Sequence, residues 1–355
     1  MLNTVSKSAY LPTPQFTVMN AFWRNRLLLS LVFLQILFAI AVSLYLGRSF
    51  WDSSTPILLV TAARLFCFMF ANFILWRLGV AIFVAKPKKP IRWMLQDLRT
   101  KLTDPEKAPD VVICFVSIVA LIVTYTFLKN EIHSMNPILW DSQFAKWDRF
   151  LHGGVDPWTL LRPILGSPVV TTAVNATYHI WFPMLYIAIC VACLDRRDPI
   201  RSTVFLVAFV LCWFVGGNVL AIVFASVGPV YFEPFNLGTD FVPQMELLRQ
   251  SNEISPVWAL KVQNALLDGY QNSGFARGIS AMPSMHVASS TLLAIYGFTY
   301  SRWLGWGLTV FTIVIMLGSV HLAWHYAIDG YASILLTLFF WWLAKKLTAR
   351  FGPET

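Results

Sequence analysis

A chain of 355 residues that is 57% hydrophobic and 13% charged, with mean hydropathy +0.62, lies far outside the soluble range, where about 25% of residues are charged. Its apolar residues fall in long runs, which excludes a soluble globular enzyme and reads as a polytopic membrane protein. The net charge of +9 matters through its distribution over the loops, so it speaks to orientation in a bilayer and not to nucleic acid.

The N-terminal stretch is polar and Pro-containing, with Arg24 and Arg26 just before the first apolar run. It reads as a cytoplasmic tail, lacking the short apolar region and small-residue cleavage site of a secretory signal. Apolar segments follow at 27–46, 57–85, 111–128, 169–194, 203–227, 287–300, 303–322 and 330–347. At roughly 20 residues per span they predict an all-α membrane helix bundle of about eight transmembrane helices. Residues 1–109 form a tail and two-helix extension, and residues 110–355 a six-helix core with long loops at 129–168 and 228–283. Arg64 and Arg77 lie inside the second span, where a structural role is expected.

Cys67, Cys114, Cys190, Cys193 and Cys212 all fall within apolar runs, so no disulfide framework is implied, and Cys190-x-x-Cys193 reads as small apolar packing. Asn175-Ala-Thr177 matches a glycosylation acceptor but lies within a span, where it carries no meaning. With the N-terminus cytoplasmic, that side of the bilayer receives roughly twice as many Lys and Arg as the other, which predicts both termini inside. Both long loops and the polar residues after Met282 then lie on the outer face. Trp140, Phe144, Trp147, Phe150, Leu151 and Trp158 mark an amphipathic piece in the first of these loops. It reads as a lid or entry ramp for a lipid, or equally as a packing cap.

Chemistry begins at His325, with Asp329 four residues on. On a shared helix the two side chains are neighbours. A carboxylate on one ring nitrogen fixes the tautomer and raises the basicity of the other, which makes a nucleophile toward phosphorus. Displacing an oxygen from phosphorus also needs a proton donor, and His286 is available in Met282-Pro283-Ser284-Met285-His286. Pro283 and Ser284 precede a helix whose N-terminal amides suit an anion, and Ser284 adds a hydroxyl.

Pro283-Ser284-Met285-His286 resembles the second motif, P-S-G-H, of the type 2 phosphatidic acid phosphatase superfamily, and the stretch from Gly318 to Asp329 resembles its third, S-R-x5-H-x3-D. The resemblance covers the six core helices. It implies that His325 forms a phosphohistidine, that Asp329 orients it and that His286 is the general acid, with no metal or cofactor. Departures are specific. Gly318-Ser319 stands where Ser-Arg is usual, His321 where an aromatic is common, and the first motif, K-x6-R-P, is missing: after the third core helix the chain reads Ala225-Ser-Val-Gly228-Pro229-Val-Tyr231. Arg162-Pro163 matches its last two letters but lies before the second core helix.

Pentavalent phosphorus needs a cationic or donor group to stabilise its charge. Arg277, six residues before Pro283, is the cation best placed in sequence, and His321, one turn before His325, either faces the same pocket or packs. Expected phosphate contacts are therefore Ser284, Arg277 and His321. The missing basic motifs, with His-Tyr-Ala-Ile-Asp, look most like the inositol phosphorylceramide synthase branch, whose similarity implies transfer of a phospho-headgroup from a phospholipid to a lipid hydroxyl. A lipid phosphate or polyprenyl pyrophosphate phosphatase, with water as acceptor, is the alternative. A third reading is a non-catalytic lipid-binding or transport protein. The scattered acids of the outer loops lack metal-ligand spacing. The absence of disulfide or sorting signals favours a bacterial inner membrane.

Overall fold

The structure, a computed structural model, describes residues 14–48, 55–105, 107–137, 139–194, 198–272 and 277–353. Among the described residues all regular structure is helical. In chain order the helices are α1 (Pro14–Arg24), α2 (Arg26–Leu46), α3 (Thr55–Gly79), α4 (Pro90–Thr103), α5 (Ala108–Asn130), α6 (Ile132–Met135), α7 (Asp141–Leu151) and α8 (Pro157–Leu165), then α9 (Pro168–Leu194), α10 (Pro199–Val223), α11 (Val242–Ile254), α12 (Trp258–Gln271), α13 (Met285–Phe298), α14 (Arg302–His321) and α15 (Ala327–Phe351).

Six of these, α2, α5, α9, α10, α14 and α15, are long and apolar enough to cross a membrane. The other two expected spans differ. α13 has 14 residues, short for a full crossing, and the stretch 57–85 runs as α3 into a π-turn before Pro90 starts α4, so that Phe70–Ala85 and Pro90–Thr100 meet at 118°. Pro at the first turn can start a helix but cannot continue one, which fixes that bend. Arg77 is held there by Asp97 at 2.5 Å and by Trp76 and Trp93, the structural role its position called for.

Residues 202–212 of α10 are buried without exception, so this helix, apolar on every side, stands at the bundle centre. Around it α14 and α15 turn Trp303, Trp306, Leu335 and Trp342 outward, the surface a lipid-facing helix presents. The second half of α10 widens into a π-turn over Cys212–Leu220. A Cβ at Gly217 would lie 2.8 Å from the Tyr125 ring and 3.0 Å from the Met285 sulfur. Only glycine there lets α5, α10 and α13 come together directly beneath the head of α13.

At one end of the bundle Arg24 pairs with Asp110 at 2.6 Å, joining α1 to the start of α5, and Arg26 reaches the last carbonyl of α15. At the other end the C-termini of α5, α10 and α14 meet the N-termini of α13 and α15. Residues 225–231, the stretch standing where a basic motif was sought, tie that end together. Ser226 takes the amides of Ala281 and Met282, and the Val230 amide donates to the Ala323 carbonyl. Gly228 has φ +85°, and a Cβ on it would meet the Trp324 carbonyl at 2.7 Å. This stretch is a brace and carries no cation.

Candidate active site

α14 stops at His321, and the loop behind it folds back on the helix. The amides of Trp324 and His325 both donate to the Ser319 carbonyl, at 3.0 and 3.1 Å, and Ala323 takes φ +61°, a strained conformation for a residue with a Cβ. Ser319 is fully buried, so the position where an arginine is usual serves through its backbone. His325 is thereby set at the mouth of the loop and Asp329 in the first turn of α15.

Asp329 is fully buried, and its Oδ2 lies 3.4 Å from His325 Nδ1 while accepting the Tyr326 amide at 3.0 Å. The carboxylate thus touches the histidine ring and the backbone of the next residue. Burial, followed by the charge of Lys129, lowers the His325 ring to about 3, against the pull of a hydrogen bond to the Ala281 carbonyl. The ring is neutral near pH 7.

Ser284 caps α13 by accepting the Val287 amide at 3.4 Å, so Pro283 precedes the cap and does not occupy the first turn. One turn in, the His286 ring is half-buried between Tyr178, at 4.4 Å between centroids, and Trp181, at 4.2 Å. The His286 and His325 centroids are 6.1 Å apart and their planes cross at 62°. The two rings therefore face one another across the mouth of the loop, close enough to act on the same group.

Two expected phosphate contacts are engaged elsewhere. Arg277 Nη2 lies 2.5 Å from Oε1 of the buried Glu131, whose other oxygen takes Arg48. His321 Nε2 lies 2.9 Å from the Thr171 hydroxyl, across the α14–α9 contact, and the ring is 2% exposed. Nearness in sequence to the motifs misled for both: their partners come from helices more than a hundred residues away.

Sequence reasoning missed two residues of α7. Asp141 accepts the amides of Val227 and Gly228 and the Tyr326 hydroxyl at 2.9 Å. Asp148 accepts the amides of Ala327 and Ile328 at 2.6 and 2.8 Å, the first two free N–H groups of α15. Burial raises both carboxyls, Asp148 to about 6. The signal was present: Asp141, Phe144 and Asp148 share one helix face, and acids on the apolar face of an amphipathic helix are there to bond something. The aromatic loop is two-sided, with Phe144 and Trp158 buried against this network and Phe150 and Leu151 exposed.

Among the described residues no group of three or more His, Cys, Asp or Glu is arranged to hold a metal ion. The family model described as PAP2 superfamily matches residues 142–343, more than half of the chain. No curated protein and no solved structure matches it.

Proposed function

This chain belongs to the PAP2 superfamily, and from that premise we propose that it is a membrane enzyme cleaving a lipid phosphoester through a phosphohistidine at His325. The observation that carries the reading is the convergence of His325, Asp329 and His286, with Asp329 lying 3.4 Å from one ring nitrogen of His325 and the two ring centroids 6.1 Å apart. In the first half-reaction, with the His325 proton on the nitrogen facing Asp329, the other ring nitrogen leaves the Ala281 carbonyl and bonds to phosphorus, the bond from phosphorus to the leaving oxygen breaks, and His286, protonated once the phosphate anion lies beside it, gives that oxygen its proton. Asp329 orients the ring and stabilises the positive charge it acquires. In the second, His286 takes the proton of an acceptor hydroxyl, whose oxygen attacks phosphorus and releases His325. The proton that His286 gives up in the first step returns to it from the acceptor hydroxyl in the second, so a His286 that enters the cycle protonated leaves it protonated, and no metal or cofactor is needed.

The acceptor we propose is a lipid hydroxyl. His325 is 6% exposed, Asp329 is buried outright, and His286 is walled by two aromatic rings, a setting that keeps water from the intermediate and favours transfer. The resemblance to inositol phosphorylceramide synthases supports the same choice, and the loop charges support a site on the outer face of a bacterial inner membrane.

The test is made on purified protein in detergent with phosphate-labelled phospholipids and phosphatidic acid, with and without ceramide or diacylglycerol, beside His325→Ala and chelator controls. Label should move to a lipid acceptor, stop in the variant and ignore the chelator. Inorganic phosphate released without acceptor would assign a phosphatase; turnover surviving His325→Ala would remove the phosphohistidine.

A further inference from the structure

Phosphoryl transfer concentrates negative charge on three oxygens, and some preorganised cation has to meet it. No cation stands at 225–231, Ser319 replaces an arginine, and Arg277 is bound to Glu131. One basic residue at this end of the bundle differs from the rest. Lys129 is in the last turn of α5 with its stem against Gly278: a Cβ on that glycine would fall 2.7 Å from Lys129 Cγ. From Gly278 the chain runs directly to the head of α13. On that path the Ile279 carbonyl lies 2.8 Å from His133 Nε2, and the Ala281 carbonyl takes a hydrogen bond from His325.

Lys129 therefore borders the same short segment as the catalytic rings, and its charge is felt at His286, His325 and His133. Among the described residues it has no ion-pair partner. An ammonium whose charge disfavours the protonated form of three imidazoles opposes its own surroundings. An arriving phosphate reverses that.

We propose that Lys129 binds the non-bridging oxygens of the reacting phosphoryl group, in place of the absent basic motif. The proposal rests on the phosphoryl-transfer reading above but concerns anion binding, so the two can fail separately. The first step of α5 after the membrane would supply what the loop before α13 does not, and the α13 amides with the Ser284 hydroxyl would complete the cradle.

The experiment uses the full chain in detergent and inorganic phosphate as probe, with affinity read from the rise of melting temperature with phosphate concentration. Lys129→Met, which keeps the stem, should weaken phosphate about tenfold or more with an unchanged melting temperature in its absence. Lys129→Arg should keep affinity within a few-fold. On whichever lipid the wild type turns over, kcat/KM of Lys129→Met should fall about 100-fold. His325→Ala should bind phosphate like the wild type while turning nothing over. Equal phosphate affinity in Lys129→Met and wild type, or no phosphate binding by the wild type, overturns the proposal. So does a fall in the phosphate-free melting temperature of both Lys129 variants, which would make the lysine structural. If His325→Ala stays active while phosphate binding still follows Lys129, the phosphohistidine reading fails and the anion site stands.

Discussion

Replacing Asp148 by alanine removes the side chain that binds the first two amides of α15 to α7, and the structure sets the size of the loss. Two short bonds to backbone amides are worth about 1.5–3 kcal/mol each when the acceptor is charged. Against them stands desolvation. Burial, after those same two bonds have pulled the other way, leaves the carboxyl at about 6 in place of 3.8, a net penalty on the charged form of roughly 3 kcal/mol at 1.36 kcal/mol per pH unit. Near pH 8 the net cost of Asp148→Ala should therefore be about 2 kcal/mol. The sign of the pH dependence follows from linkage: a carboxyl whose folded pKa is raised binds its proton more tightly folded than unfolded. Its contribution is greatest below the unfolded value and declines as pH rises through the window from about 4 to about 6. The gap between wild type and Asp148→Ala should accordingly widen, by up to about 3 kcal/mol, as pH is lowered through that window. Thermal denaturation of the two proteins in detergent at a series of pH values measures it. Turnover should fall about 100-fold, since Ala327 and Ile328 lie between His325 and Asp329 and a displacement of about 1 Å suffices. A gap that stays constant from pH 4 to pH 8, or narrows on acidification, would refute the reasoning.

Asp329→Asn keeps an acceptor for the Tyr326 amide but loses the charge that orients His325, so kcat should drop about 10⁴-fold with KM for the lipid unchanged; steady-state kinetics on the labelled lipid separates the two. Arg277→Gln leaves Glu131 paired with Arg48, so melting temperature should move by the equivalent of about 1 kcal/mol and KM not at all. A tenfold rise in KM would return Arg277 to the phosphate.

The helices that cross the membrane were legible because hydropathy reports what a bilayer requires of a continuous segment. Where a span is short or broken the same signal overran: the apolar stretch after α3 contains no marker of its π-turn, and α13 ends where Thr299 to Ser301 turn the chain. His325 with Asp329 was legible because four residues is a helical contact, and the structure keeps the pair close although His325 itself sits just outside α15. His286 was legible from the Pro283 and Ser284 that precede it at the head of a helix on that side. What linear spacing cannot convey is which distant element claims a charge. Arg277 lies six residues from Pro283, yet Glu131 reaches it from the end of α5. Lys129 was passed over for the opposite reason, as one of the charges that mark the end of a span.

Carboxylates and cations at the catalytic end divide by partner, and the division explains how so apolar a chain can handle phosphate. Asp141, Asp148 and Asp329 all point at backbone amides: Val227 and Gly228, Ala327 and Ile328, and Tyr326. Asp141 and Asp148 are used in fixing loops, while Asp329 also faces His325 at 3.4 Å. Arg48 and Arg277 are likewise spent on Glu131. With acids committed to geometry and the arginines to an acid, the α13 N-terminus, the Ser284 hydroxyl and, on our proposal, Lys129 leave the space between His286 and His325 short of one anion. A phosphoryl group arriving there meets positive ends that need no rearrangement, which is the condition under which such contacts lower a barrier and do not merely bind.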